Sequence, residues 1–183
     1  MKPLNKTEVQ QFLAALPDAW RDYYLICFHT GMRSCEVHGL LKACVDFEHR
    51  RILVRHNVVN THTDVKTRKS RRDMHMTPTV YHALRRAVNA MPNNHNGDHD
   101  FIFTNAKGKP LTTYFVARQL WYPTLKKAGL AKRRPYQTRH TAAVLHLAAH
   151  ENPLYVSRLL GHACTGLLYD VYAAFMVHDN GIT

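Results

Sequence analysis

Apolar positions along this chain recur mostly at helical spacing, interrupted once by shorter runs that alternate. Val9, Phe12, Leu13 and Leu16 form the first stripe, and Thr7-Glu8-Val9-Gln10 reads as a capping box with Thr7 at the N-cap and Gln10 three residues on. A second helix is predicted over Trp20 to His29, stopped by Gly31, and Ser34 is placed to cap a short third helix carrying Glu36, Val37 and Leu40. From Val45 the pattern changes. Arg51 to Arg55 and Arg72 to Met76 read as strands joined by a polar, basic turn, and Thr77-Pro78 closes that unit. Val80, Leu84, Ala87, Val88 and Met91 form another helical stripe, followed by a polar loop from Asn93 to Asp100 and a short strand candidate at Phe101-Ile102-Phe103. Thr113 to Ala128 reads as a helix broken or kinked at Pro123, and Lys132 to Pro135 is a basic loop. Three more helices are expected: Thr138 to Ala149, one entered through Asn152-Pro153 and stopped at Leu160-Gly161, and a last one carrying Leu167, Leu168, Val171, Tyr172 and Phe175. Helices flanking one small sheet predict an α+β, mainly α domain.

A chain of 183 residues with 45% apolar content can bury a single core without disulfides. Charge narrows its partners. Lysine and arginine number 25 against 13 acids, a formal +12, with 14 histidines beside them. That balance favours a polyanion, and nucleic acid above all, through release of counterions from phosphates. No apolar run reaches the ~20 residues of a membrane span, and the start lacks the apolar core of a signal peptide. Cys27, Cys35, Cys44 and Cys164 form no C-x-x-C pair and read as reduced thiols of a cytosolic protein. Cys35 and His38 share a helix face, but two ligands make no zinc site.

Candidate chemistry sits at the ends of the predicted helices, where loops present side chains to a substrate. Cutting a phosphodiester without a metal needs a nucleophile, fixed cations around the phosphate and an acid for the leaving oxygen. Arginine suits the second task because its planar fork matches phosphate oxygens and stays charged. Arg33 follows the Gly31 stop, Arg139 opens a helix after the basic loop, His162 follows the Gly161 stop, and Tyr172 comes ten residues later. Taken singly, each has an ordinary reading as a solvated arginine, a C-cap histidine or a packing tyrosine.

In order they resemble the tyrosine recombinase (phage integrase) family. Its Thr-Gly-x-Arg-x-x-Glu box matches Thr30-Gly31-Met32-Arg33-Ser34-Cys35-Glu36, its hairpin lysine matches Lys66, and its His-x-x-Arg box matches Tyr136-Gln137-Thr138-Arg139. Its Leu-Gly-His box matches Leu160-Gly161-His162, and its nucleophile matches Tyr172. The resemblance spans Leu4 to Phe175 and implies a DNA breaking-rejoining catalytic domain with a small antiparallel sheet over residues 1–183. It implies that Arg33 and Arg139 clamp the scissile phosphate, Glu36 supports the Arg33 segment, and Lys66 protonates the leaving 5′ oxygen. His162 would bond the phosphate or the nucleophile, and Tyr172 would attack phosphorus to give a 3′-phosphotyrosyl link. Lys66 is preferred to Lys69 because it precedes Thr67, as in the family's turn. Arg68, Lys69, Arg71 and Arg72 are expected to meet the DNA backbone. Tyr169 is the rival nucleophile, three residues before Tyr172.

The sequence departs from the family at Tyr136, where a histidine is usual. A phenol still hydrogen-bonds a phosphate oxygen but is a weak base near neutral pH. His140, next to Arg139, is expected to be a packed or hydrogen-bonded support rather than a catalyst. The chain begins where the family's catalytic domain begins, so the N-terminal core-binding domain is expected to be absent, in an excised domain or a natural minimal form. The resemblance further implies double-stranded DNA as partner, a homotetramer on DNA and a monomer when free. It implies action in the cytoplasm of a bacterium on phage or other mobile DNA, with no metal, no ATP or other cofactor and no membrane. Two other readings stand beside it: a DNA-binding module without catalysis, and a type IB topoisomerase or telomere resolvase sharing the fold and nucleophile.

Overall fold

The computed structural model describes residues 2–59, 62–65, 71–91 and 100–162, and residues 166, 168, 169, 171 and 172 beyond them. The first helix, α1 (Lys6–Ala15), starts at Asn5 and not at Thr7. Asn5 Oδ1 accepts from the Glu8 amide at 2.8 Å, and Glu8 Oε2 accepts from the Asn5 amide at 2.9 Å. Asparagine is at least as good an N-cap as threonine, and tertiary contacts fix the choice. The Leu4 amide donates to Thr141 Oγ1 at 2.9 Å, and Arg133 Nη1 donates to Glu8 Oε2 at 3.0 Å.

Helix α2 (Arg21–Thr30) is the central element, and it buries residues on every side because it packs against both α4 (Pro78–Asn89) and α7 (Gln137–Ala148). Tyr24 and Phe28 from α2, Phe12 from α1 and Trp121 form an aromatic cluster, with Phe12 and Tyr24 edge to face at 4.9 Å. Such pairs contribute about 0.5–1.5 kcal/mol beyond the area they bury. Helix α3 (Ser34–His38) follows directly. His38 is buried, with Nε2 3.0 Å from Tyr23 Oη, so it is a core histidine rather than a ligand paired with Cys35.

The expected strands form an antiparallel sheet in the order β1 (Val45–Asp46), β2 (Arg51–Val54), β5 (Arg72–His75), with Val54 opposite Arg72. Between β2 and β5 the chain does not make the simple turn expected from sequence. It builds a second hairpin from β3 (His56–Val59) and β4 (His62–Val65). Only Val58 of β3 is buried, so the strand lacks the alternation that marks one in sequence. What holds it is α3, whose C-cap Gly39 lies so close to β3 that a Cβ there would be 2.8 Å from Asn57 Cα. Phe101-Ile102-Phe103 is not a strand either. Phe101 makes one isolated bridge to Leu41, and all three side chains enter the core.

A three-residue helix α5 (Thr113–Phe115) runs through a π-helical stretch, Val116–Trp121, into α6 (Tyr122–Lys127). Pro123, in the first turn of α6, lacks the N–H that would close the regular ladder, and the wide turns precede it. Helix α8 (Pro153–Leu160) begins as expected, with Asn152 Oδ1 accepting from the Leu154 amide at 2.8 Å. A second, small apolar cluster lies against α7 and α8, made of Ala143, Leu147, Val156, Leu160, Leu168 and Tyr172. It seats the helical residues Leu168 and Tyr172 on the rest of the molecule. Among the described residues no helix is long and apolar enough to cross a membrane.

Candidate active site

Helix ends from three parts of the chain meet at one place. Helix α2 stops at Gly31, in the left-handed region at φ 60°, where a Cβ would lie 2.5 Å from Leu160 Cδ2. Both the turn and this close approach to α8 therefore require glycine. Helix α8 stops at Gly161, φ 68°, and a Cβ there would meet Arg72 Cδ at 3.2 Å. Arg139 lies between these two ends and is 2% exposed. Its Nη1 donates to Gly31 O at 2.8 Å and its Nη2 to Leu160 O at 2.5 Å.

Those acceptors belong to the ends of α2 and α8, where helical carbonyls lack partners and the helix dipoles are negative. Burial, and then the charge of Arg33, pull the Arg139 pKa below the ordinary arginine value. The group still stays charged near neutral pH.

Arg33 precedes α3 with a partly exposed side chain. Its amide donates to Glu36 Oε2 at 2.9 Å and its Nη1 to Glu36 Oε1 at 3.3 Å. Glu36, 1% exposed, is also gripped at both oxygens by Arg72, through Nη1 and Nη2 at 2.9 Å each. Arg72 Nε donates to Leu159 O at 2.9 Å. Arg72, expected from sequence to meet DNA, here bonds groups of the protein itself. Its side chain is 10% exposed and its fork is occupied by the carboxylate, so it ties β5 to α3 and α8. The sequence carried a signal for this. Arg72, Met74 and Met76 share one face of the strand, with both methionines buried, while Arg71, Asp73 and His75 point outward. Glu36 balances Arg72, and the charges of Arg33 and Arg139 remain in surplus, as an anion site requires.

His162 follows the Gly161 stop, with its amide donating to Ser157 O at 3.0 Å. Its Nδ1 is buried and has no hydrogen-bond partner among the described residues. Burial, then the charges of Arg139, Arg33 and Arg72, push its pKa down to about 4. It is therefore neutral near pH 7, and the three arginines named are a measure of how positive the site is.

Tyr172 is 2% exposed, and its Oη lies 2.7 Å from His140 Nδ1. Burial pushes its pKa up to about 12, while Arg139 pulls the other way. Tyr169 is 48% exposed. Tyr136, at the start of α7, is half exposed and sets its ring edge-on to His140, centroids 5.1 Å apart. The structure thus gathers Arg33, Tyr136, Arg139, His162 and Tyr172. Arg71 is exposed; Lys66, Arg68 and Lys69 lie outside the described residues. The sequence did not foresee which partner His140 would bond. Its place one turn after Tyr136 was the available hint.

A sequence profile of the phage integrase family matches residues 2–176. The prophage integrase IntR of Escherichia coli (strain K12) is 24% identical over 195 residues, covering 95% of this chain and 47% of IntR. The chain thus spans about half the length of the curated relatives it matches. Among solved structures, the Tn1549 transposon integrase in complex with circular intermediate DNA superposes with a TM-score of 0.84 at 26% identity, over 93% of this chain and 62% of that one. The XerA recombinase superposes with a TM-score of 0.78 at 23% identity, over 94% of this chain and 58% of that one, a likeness of fold.

Proposed function

This chain belongs to the phage integrase family, and from that premise we propose that it is the catalytic domain of a tyrosine recombinase that cuts and rejoins double-stranded DNA through Tyr172. One observation carries the reading. The Tyr172 hydroxyl is delivered to α7 beside Arg139, whose guanidinium is fixed by the carbonyls that end the two glycine-stopped helices. Arg33 and Arg139 clamp the non-bridging oxygens of the phosphate and stabilise the charge that grows in the pentacoordinate transition state. Tyr172 attacks phosphorus, forming the 3′-phosphotyrosyl bond as the bond to the 5′ oxygen breaks. Lys66 protonates that oxygen, and His162, set beside Arg139 and Arg33, bonds the phosphate or the nucleophile. Phosphotyrosine conserves the bond energy, so rejoining needs no ATP, and the arginines perform the electrostatic work a metal would otherwise supply. Glu36 and Arg72 hold Arg33 and the Gly161 turn in register.

The relatives, prophage integrases and transposon transposases of bacteria, support site-specific recombination of mobile DNA; to this we add four copies assembled on DNA from free monomers. Arg68, Lys69 and Arg71 then meet the DNA backbone. A suicide DNA substrate, incubated in EDTA, tests the chemistry. Peptide mapping should find the covalent adduct on Tyr172, and Tyr172→Phe should bind DNA and form none. An adduct on Tyr169, or a strict requirement for added Mg²⁺, would overturn the reading.

A further inference from the structure

Two histidines lie near the nucleophile, and the one in contact with it is not the one the family boxes point to. His140 Nδ1 is 2.7 Å from Tyr172 Oη, whereas His162 Nδ1 is buried with no partner among the described residues. The two bonded residues are 32 positions apart, and their rings are inclined at 55°. The edge of Tyr136 closes off another side of the imidazole. Tyr136 replaces the usual histidine of its box with a weak base, so that position no longer offers a ready proton acceptor near neutral pH.

We infer that His140 is the group that takes the phenolic proton of Tyr172 as the strand is cut, and that it holds the hydroxyl in place until then. The inference rests on Tyr172 being the nucleophile. With hydrogen on Nε2, the Nδ1 lone pair accepts from the Tyr172 hydroxyl. During cleavage the proton passes to Nδ1, the phenolic oxygen bonds phosphorus, and the P–O5′ bond breaks with its electron pair going to the 5′ oxygen, which Lys66 protonates. On rejoining, the 5′ hydroxyl gives its proton back to Lys66 and attacks phosphorus, and His140 returns its proton to the leaving tyrosine oxygen.

The groups facing His140 explain when this happens. They are Arg139 and Tyr136 of its own helix, Tyr172 from the C-terminal helical residues and His162 from the loop after α8. Burial and the charge of Arg139 hold the imidazole below its ordinary pKa, so the free protein keeps the proton on Tyr172. A phosphate seated on Arg33 and Arg139 offsets that positive charge and makes an imidazolium tolerable. Proton transfer is thereby tied to the presence of DNA.

The test is single-turnover cleavage of a suicide DNA substrate at saturating DNA. Asparagine at 140 can place an amide oxygen where Nδ1 was, keeping a hydrogen bond to Tyr172 but taking no proton. His140→Asn and His140→Ala should therefore both cleave about a hundredfold or more slowly, with DNA affinity unchanged. Replacing Tyr172 with difluorotyrosine, whose hydroxyl ionises more readily, should return at least about tenfold of that loss, since the proton then needs less help to leave. Full activity in His140→Asn, or the same loss with tyrosine and difluorotyrosine, would overturn the assignment and leave a structural role. Should neither variant fold, the native chain decides. A solvent isotope effect on cleavage that shrinks with difluorotyrosine supports the transfer, and one that does not shrink overturns it. Tyr172→Phe, run alongside, separates the premises: if it still cleaves, the nucleophile is misassigned whatever His140 does.

Discussion

Glu36 shows how much of this site hangs on single residues. It is a buried carboxylate held by two arginines, and removing one member of a buried pair costs far more than the pair itself contributes, because the remaining charge stays out of water. Glu36→Gln should lower unfolding stability by about 3–5 kcal/mol in urea titration. Adding Arg72→Met should recover part of that deficit, since the uncompensated guanidinium is gone. Simple additivity of the two changes would mean that the fork contact contributes little. Gly161 is constrained twice, by its positive φ and by Arg72 against its α-carbon. The Leu-Gly-His box is therefore tied to a strand arginine that the box itself does not mention.

At the scale of elements, Tyr172, the proposed nucleophile, stands on the least deeply anchored piece of the described structure. The helical residues around Tyr172 reach only the small cluster on α7 and α8, while α2 is enclosed by the main core. Local opening should accordingly be cheapest there. Leu168 is fully buried in that cluster, and Leu168→Ala should cost about 2–4 kcal/mol, taken from the docking of this segment rather than from the global fold. The expected result is faster hydrogen exchange at Val171 and Tyr172, little change in α2 and a large drop in cleavage. A falling Tm with unchanged exchange at Tyr172 would instead show that the segment and the main core unfold as one unit. The π-helical stretch before Pro123 and the β3–β4 hairpin lie elsewhere. Pro123 made the first legible from sequence, and nothing local announced the second.

Across the whole molecule the formal charge of +12 should dominate the proposed association with DNA. The placement of Arg72 changes which residues should carry it. Neutralising Lys69 and Arg71 should flatten the slope of log K against log salt by up to about two units, about one for each phosphate that no longer meets a cation. Neutralising Arg72 should destabilise the fold and leave the slope nearly alone. Sequence preference should survive the Lys69 and Arg71 changes, because backbone contacts position a protein without reading bases. A slope that changes equally for Arg71 and Arg72 would place Arg72 on the DNA after all.

Features that are local, or ordered along the chain, were legible in the sequence without any structure. Gly31 and Gly161 stop helices because each needs a left-handed backbone, Asn152-Pro153 starts one through a cap and a preset φ, and the order of boxes pointed to the family. These signals need only near neighbours. Folding in three dimensions decided what depends on distant partners: that Asn5 rather than Thr7 caps α1, since Leu4 is pinned to Thr141, and that Arg72 turns inward to Glu36 and Leu159, 36 and 87 positions away. It also decided that His140 is the histidine that bonds Tyr172. A side chain's residue type states what it is able to bond. Which bond it makes follows from burial, because in the interior an unpaired donor or acceptor is costly and the packed fold leaves few partners within reach.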